Sequence, residues 1–321
     1  MNILKMDPYF THHVIVAEKS NHTIHLFGHK DGRPVYIKSF PMATGKIPGD
    51  KTNQGDHKTP EGIYHLTDFL PEDELMSRFG KAGEIYGRGA FVLDFPNPLD
   101  SGKSGSGIWL HSTNIEDRIL KGMDSRGCVV VSNQHLAQLG EYIDLNHTMM
   151  IIVHDMSFLR EKTWNKNLSK LEDTMNTWLS AWRKKDFAQY ISFYDKSYAD
   201  RSRKSYAAFS SYKKSVFSNH DTPSIELKHF SILSFNNYAV VQFEQKYKSH
   251  SIDDSGKKTL YLKIDSEYNW KIVSELWHKL PTGPRMAFIP KQRFLLNDRD
   301  RAEFKENETA SSETRRESNL K

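Results

Sequence analysis

"SRGCVVVSN", residues 125–133, contains the one cysteine of the chain, set between a Ser-Arg-Gly lead-in and a run of three valines. A short apolar run behind a polar, glycine-bearing turn reads as a buried strand. The thiol at its mouth is either a small apolar filler, the common fate of a free cysteine, or a nucleophile anchored by that strand. Upstream, "GSGIWLHSTN" (105–114) brings His111 to the end of a second strand. A nucleophilic thiol needs an imidazole nearby to raise its thiolate fraction. It also needs backbone N–H groups aimed at the developing oxyanion, and Gly127 permits the tight turn that presents them. The residue types alone leave both readings open.

Further out, the pattern surrounding this stretch is β-rich. "HVIVAEKSNHTIHLF" (13–27) alternates around a Ser-Asn turn and predicts a hairpin, with "RPVYIKSFPMATG" as a third strand. "GKIPGDKTNQGDHKTPEG" (45–62) is a long loop by its Gly, Pro and Asp content. Strand patterns return at "IYHLTDF", "AFVLDF", "GIWLHS", "CVVVSN" and "HTMMIIVH", with a short helix expected over 134–143. Many short strands and few helices predict a mostly antiparallel, mostly-β sandwich or barrel. Near residue 155 the pattern changes. Leu171, Met175, Trp178, Leu179 and Trp182 recur at helical spacing, further helices follow at 186–198 and 206–219, and four strand patterns complete an α+β unit. The expected division is an N-terminal extension (1–11), a first domain (12–157), a second (158–296) and a charged, disordered tail (297–321).

Composition narrows the function classes. The chain has 321 residues, 26% of them charged, and a net charge of +5 with Lys and Arg scattered; a nucleic-acid binder concentrates them on one face. One cysteine excludes an internal disulfide and a cysteine-based zinc cluster. His12, His13, His22, His25, His57 and His65 show no metal-ligand spacing, so neither metal nor cofactor is expected. "GKIPGDKT" fails the phosphate-loop spacing, and Asp50 stands where the second glycine belongs. No run is long enough for a membrane span. The first twenty residues do not read as an intact signal peptide, so the sequence alone leaves cytosol and export open.

His111, then Ser125-Arg126-Gly127-Cys128, then Asn133 resembles the signature of the YkuD-type L,D-transpeptidase catalytic domain. "ATGK…KTPEGIY" and "AFVLDFPNPLD" are similar to further segments of that family, and the resemblance covers about residues 12–155. It implies Cys128 as nucleophile, His111 as base, and the N–H groups of Gly127 and Cys128 as the oxyanion hole. Ser112 or Ser125 would orient His111, and Arg126, Asn133 and Trp109 would meet substrate. Two departures stand out: Arg126 replaces the family's usual His, and Val130 replaces a polar residue. Without a polar group to place an acceptor amine, water resolves the thioester. The second half resembles the NTF2-like fold, an α+β cone with a pocket, whose Trp178, Trp182, Tyr190, Phe193 and Trp270 read as core. No acid/base pair is evident in it.

The combination resembles the cell-shape-determining L,D-carboxypeptidases of curved and helical bacteria. It implies a periplasmic enzyme whose partners are peptidoglycan tetrapeptide stems, with a cell-wall or protein partner for the NTF2-like domain. Two alternatives stay open: a crosslinking or protein-anchoring L,D-transpeptidase, and a catalytically silent wall-binding scaffold.

Overall fold

The computed structural model describes residues 2–219, 222–280 and 286–290; the expected tail at 297–321 lies outside them. The chain runs β1 (Asn2–Lys5), β2 (Val14–Glu18), β3 (Thr23–Lys30), β4 (Arg33–Pro41), β5 (Thr44–Gly45), β6 (Gly62–Pro71), α1 (Glu72–Phe79), a 3-10 segment (Gly80–Tyr86), β7 (Gly89–Leu93) and β8 (Trp109–His111). It continues with α2 (Asp117–Leu120), β9 (Met123–Ser125), β10 (Val129–Val130), α3 (Asn133–Gly140) and β11 (Met149–Val153). The second half is α4 (Glu161–Arg183), α5 (Phe187–Ser192), α6 (Tyr206–Ser218), β12 (Ser224–Phe235), β13 (Tyr238–Lys248), β14 (Asp253–Ile264) and β15 (Trp270–Lys279).

An eight-stranded sheet of order β10-β8-β7-β6-β11-β2-β3-β4 forms the first half, and a five-stranded antiparallel sheet, β1-β12-β13-β14-β15, the second. The first sheet is mixed rather than purely antiparallel, because β11 runs parallel to β2 and β10 parallel to β8. On one of its faces Ile15, Ala17, Leu110, Val129, Met150 and Ile152 pack with Leu136 and Leu139 of α3. The α3 N-terminus is capped by Ser132 Oγ, which accepts from the His135 N–H at 3.1 Å. Helices α4 to α6 cover the second sheet, with Leu171, Met175, Trp178 and Trp182 buried against Ile232, Val241, Phe243 and Leu260.

The other faces of the two sheets meet. Val14, Val16, Met149, Ile151 and Val153 pack with Leu233, Val240, Tyr261 and Val273 in one apolar cluster. That explains why β2 and β11 are buried at every position; β2 forms the expected hairpin with β3, but without the solvent-facing side that its alternating pattern suggested. A strand covered on both faces has no solvent side to mark with polar residues. The first residues also belong to this arrangement: Ile3 pairs with Leu233, which adds β1 to the edge of the second sheet. Helix α1 and its 3-10 continuation were not legible as helix in the sequence. They hang beyond β6 as a flap, with Leu75 buried against Leu70 and Ala90.

Candidate active site

Strand β10 brings the cysteine's turn alongside the strand that ends in His111. Val129 pairs with Leu110 and Val130 with His111 in parallel register, and Val129 and Leu110 both enter the core. Alternation along the two strands therefore sends His111, and the Cys128 position that precedes Val129, to the opposite face. His111 is buried at 2% exposure, while Cys128 is only partly covered. The Cys128 thiol donates to the Gly107 carbonyl at 3.4 Å.

The imidazole is held through its inner nitrogen. His111 Nδ1 lies 2.6 Å from the Ser112 carbonyl oxygen, so Nδ1 carries the proton and Nε2 is left as the basic nitrogen. Burial lowers the imidazole to about 4, a fall that the Ser112 carbonyl opposes and the charge of Arg118 reinforces. Burial pushes the Cys128 thiol up to about 11, against a hydrogen bond with the Trp109 backbone and the pull of the Arg118 and Lys51 charges. Both partners therefore rest neutral near pH 7. The sulfur is poised to be deprotonated as it attacks rather than held ready as a thiolate.

Ser125, expected as one of two candidates to orient His111, instead builds the turn around the cysteine. Its hydroxyl donates to the Cys128 carbonyl at 2.6 Å and accepts from the Gly127 N–H at 3.0 Å. The Gly127 N–H, expected as an oxyanion donor, is thus directed at Ser125. Gly127 has φ +129°, and a Cβ there would stand 2.8 Å from the Lys58 carbonyl oxygen; only glycine fits this close approach. Ser112 holds the histidine through its main chain, while its hydroxyl accepts from the Arg88 N–H at 2.8 Å and donates to the Tyr86 carbonyl at 3.2 Å.

Asn133, expected to meet substrate, is a strut. Its side-chain oxygen accepts from the Arg88 N–H at 3.0 Å and its amide donates to Asn114 Oδ1 at 2.8 Å, so both ends are engaged in scaffold. Arg126 is exposed beside the site. Trp109 joins an aromatic wall: Tyr86 lies 5.0 Å from it and Phe79 6.0 Å. Tyr86 also meets His111 edge-on at 5.0 Å and 82°. Val130 is fully buried, with its N–H and carbonyl both bonded to Ala43.

Three residues that the sequence did not point to complete the surroundings. Tyr86 arrives on the 3-10 segment, Arg118 on α2 and Lys51 on the long 45–62 loop. That loop is stapled from within and from its flanks. Lys51 reaches Asp56 at 2.6 Å, Lys19 reaches Glu61 at 2.9 Å, and Lys103 reaches Asp50 at 2.9 Å and Asp100 at 3.1 Å. Burial alone would raise the Asp56 carboxyl, but Lys51 and three backbone N–H groups hold it well below the usual carboxylate range. Lys19–Glu61 and Lys103–Asp50, 42 and 53 residues apart, leave no local pattern, so only the fold discloses them.

With this geometry in place, the comparisons with known proteins fall into two parts of the chain. The L,D-transpeptidase catalytic domain, YkuD, matches residues 12–153, and the Cds6 C-terminal NTF2-like domain matches residues 170–276. The first half is a YkuD-type L,D-transpeptidase catalytic domain. Two similar solved structures span both parts of the chain. Bd1075 of Bdellovibrio bacteriovorus is 29% identical, with a TM-score of 0.75 over 88% of this chain and 98% of that one. The helical cell shape determining protein Pgp2 of Campylobacter jejuni is 25% identical, with a TM-score of 0.65 over 86% and 95% of the two chains. No curated protein sequence matches the chain.

The NTF2-like domain holds a polar cluster where the sequence had shown no acid/base pair. Lys258 Nζ lies 2.6 Å from Glu275 Oε2. Tyr194 donates to the other carboxylate oxygen and lies 2.7 Å from the Tyr190 hydroxyl. Trp178 Nε1 donates to Tyr194 at 3.2 Å. The residues lie between positions 178 and 275, too far apart in the chain to be recognised as a set. Burial would raise Glu275, but Lys258 and Lys213 hold its carboxyl below the usual range. Burial lowers Lys213, whose ammonium lies over the Trp182, Tyr190 and Phe209 rings, to about 8.

Proposed function

We propose that the chain is a peptidoglycan L,D-carboxypeptidase that removes the terminal D-Ala from tetrapeptide stems through a Cys128 acyl-enzyme. The observation that carries this reading is the pairing of a partly exposed thiol with a buried imidazole on one side of adjacent parallel strands. His111 Nε2 takes the thiol proton as the sulfur attacks the carbonyl of the diaminopimelate–D-Ala bond. The oxyanion that forms is met by the Cys128 N–H, since the Gly127 N–H points to Ser125. The imidazolium returns its proton to the leaving amine, the C–N bond breaks and D-Ala departs. His111 then deprotonates a water that attacks the thioester, and the thiol leaves reprotonated.

Hydrolysis is favoured over transfer because Val130, two residues after the nucleophile, is closed into its bridge with Ala43 and offers nothing to hold an acceptor amine. The exposed Arg126 supplies a guanidinium to a stem carboxylate, and Trp109 with Tyr86 forms an apolar wall beside it. Catalysis in this reading needs no metal or cofactor. The similarity to the helical cell shape determining protein Pgp2 supports a role in cell shape, and the match to the L,D-transpeptidase catalytic domain supports a periplasmic location. Among the described residues, no helix is long and apolar enough to cross a membrane. The NTF2-like domain is read as the part that holds the wall or a protein partner. A cavity of about 130 Å³, lined by Trp182, Phe217, Tyr247 and Ile252 among others, opens in it.

Digestion of purified tetrapeptide muropeptides, followed by mass spectrometry, tests the reading. Loss of one alanine mass is the expected result. Crosslinked dimers would make the protein a transpeptidase, and absence of any product would leave a scaffold.

A further inference from the structure

We infer that Arg118 is a positioning residue for the Cys128–His111 pair, a single guanidinium that ties together the three segments carrying the thiol, the imidazole and the aromatic wall. The inference rests on the reading of Cys128 as nucleophile. Arg118 is buried at 7% exposure, an unusual place for a charge unless it is paired and hydrogen-bonded. Its Nε donates to Asp124 Oδ2 at 2.9 Å, next to the Ser125 that shapes the cysteine turn. Its Nη1 donates to the Thr113 hydroxyl at 3.4 Å, two residues beyond His111. The same nitrogen donates to the Ile85 carbonyl at 3.2 Å, one residue before the Tyr86 ring that stands edge-on to the imidazole. A planar fork makes these contacts at fixed angles, which a lysine ammonium does not reproduce.

The charge acts along with the geometry. A cation beside the site favours the thiolate and makes the imidazolium a stronger acid, and Arg118 pulls both groups that way. The first effect helps the sulfur attack; the second weakens His111 as a base toward the thiol but helps the imidazolium pass its proton to the leaving amine. The other titratable or charged groups around the sulfur are His111 on β8, Lys51 on the long loop, Tyr86 on the 3-10 segment and Arg126 on the cysteine's own turn. Lys51 bonds within its own loop, to Asp56 and the Asn53 carbonyl, and Arg126 is exposed, whereas Arg118 bonds to the segments that carry the thiol, the imidazole and the aromatic wall.

The chain has one cysteine, so alkylation by iodoacetamide, followed by intact mass across pH, reports Cys128 alone. Two full-length variants separate charge from geometry. Arg118→Met combined with Asp124→Asn removes the charge without stranding a carboxylate, and Arg118→Lys keeps the charge but loses the fork. The double variant is expected to alkylate about tenfold more slowly at pH 8, its profile displaced upward by about one pH unit. Arg118→Lys is expected to alkylate within about twofold of the parent, yet to lose about tenfold in kcat on tetrapeptide muropeptides. A double variant whose alkylation profile superimposes on the parent's would overturn the inference. If the double variant does not fold, Arg118→Lys decides alone, because parental kcat in it would be equally fatal. Alkylation needs no substrate, so an inactive parent would defeat the hydrolase reading while this arm still reports on Arg118.

Discussion

The thiol site and the interior of the cone both bury ionisable groups, and they treat them in opposite ways. In the cone, Lys258, Glu275, Tyr194, Tyr190 and Trp178 form a connected set, with the carboxylate satisfied on both oxygens. At the sheet edge, the His111 imidazole is tied down through one nitrogen only, and the thiol beside it is partly open to solvent. Groups whose bonding capacity is used up by neighbours hold a fold together; groups left with capacity in hand can meet a substrate. The contrast supports the proposal that the first region carries the chemistry.

That contrast can be broken most directly at the sulfur. Cys128→Ala is expected to lower release of D-Ala at least about a thousandfold while leaving the unfolding midpoint within a degree or two. Comparable product from the variant would move the chemistry elsewhere. In the cone the expected signs reverse. Glu275→Ala strands the buried Lys258 and should cost about 3–5 kcal/mol in urea unfolding, with the alkylation rate of Cys128 unchanged in the protein that remains folded. A stability loss under about 1 kcal/mol would show that the pair is dispensable.

A pH series sharpens the site side. His111 falls from 6.5 to about 4 on folding, so the native state binds the proton less tightly than the unfolded chain does. The penalty is absent above pH 6.5, grows as pH falls from there, and levels off below about 4 at about 3 kcal/mol. Activity should fall on the acid side through about pH 4, where Nε2 becomes protonated. The loss of stability from pH 7 to 4 should be about 3 kcal/mol smaller in a His111→Gln variant than in the parent, the remainder coming from groups such as His13, which burial also lowers to about 4; equal losses in the two proteins would exclude His111 as the source. Next in size is Gly127→Ala, expected to reduce kcat about a hundredfold, because the chain must shift away from the Lys58 carbonyl and take the nucleophile with it. Smallest is Ser125→Ala, which removes two hydrogen bonds of the turn and should cost about 1–2 kcal/mol in thermal unfolding.

The sequence was most informative where function is local. Cys128 and Gly127 share one turn, and His111 ends a strand seventeen positions earlier, so the candidate pair could be picked out from two short stretches. The same reading misplaced the roles of neighbours. Ser125 and Asn133 carry the polar groups that a site uses, and nothing in their order shows that these are consumed by the Cys128 carbonyl, Arg88 and Asn114. Tyr86 and Arg118 were invisible because the elements that bring them, a short 3-10 segment and a four-residue helix, have too little periodicity to register.

By itself, then, the order of residues determined the two-part architecture and singled out a candidate cysteine–histidine pair, because strand alternation, helical spacing and a glycine turn are short-range patterns. Tertiary structure alone decided that β2 and β11 are sealed on both sides, that the first residues complete the second domain's sheet, and that thiol and imidazole rest uncharged. Those outcomes depend on which surfaces meet and how much water they exclude. Desolvation is a property of the assembled fold, and no stretch of chain carries it alone.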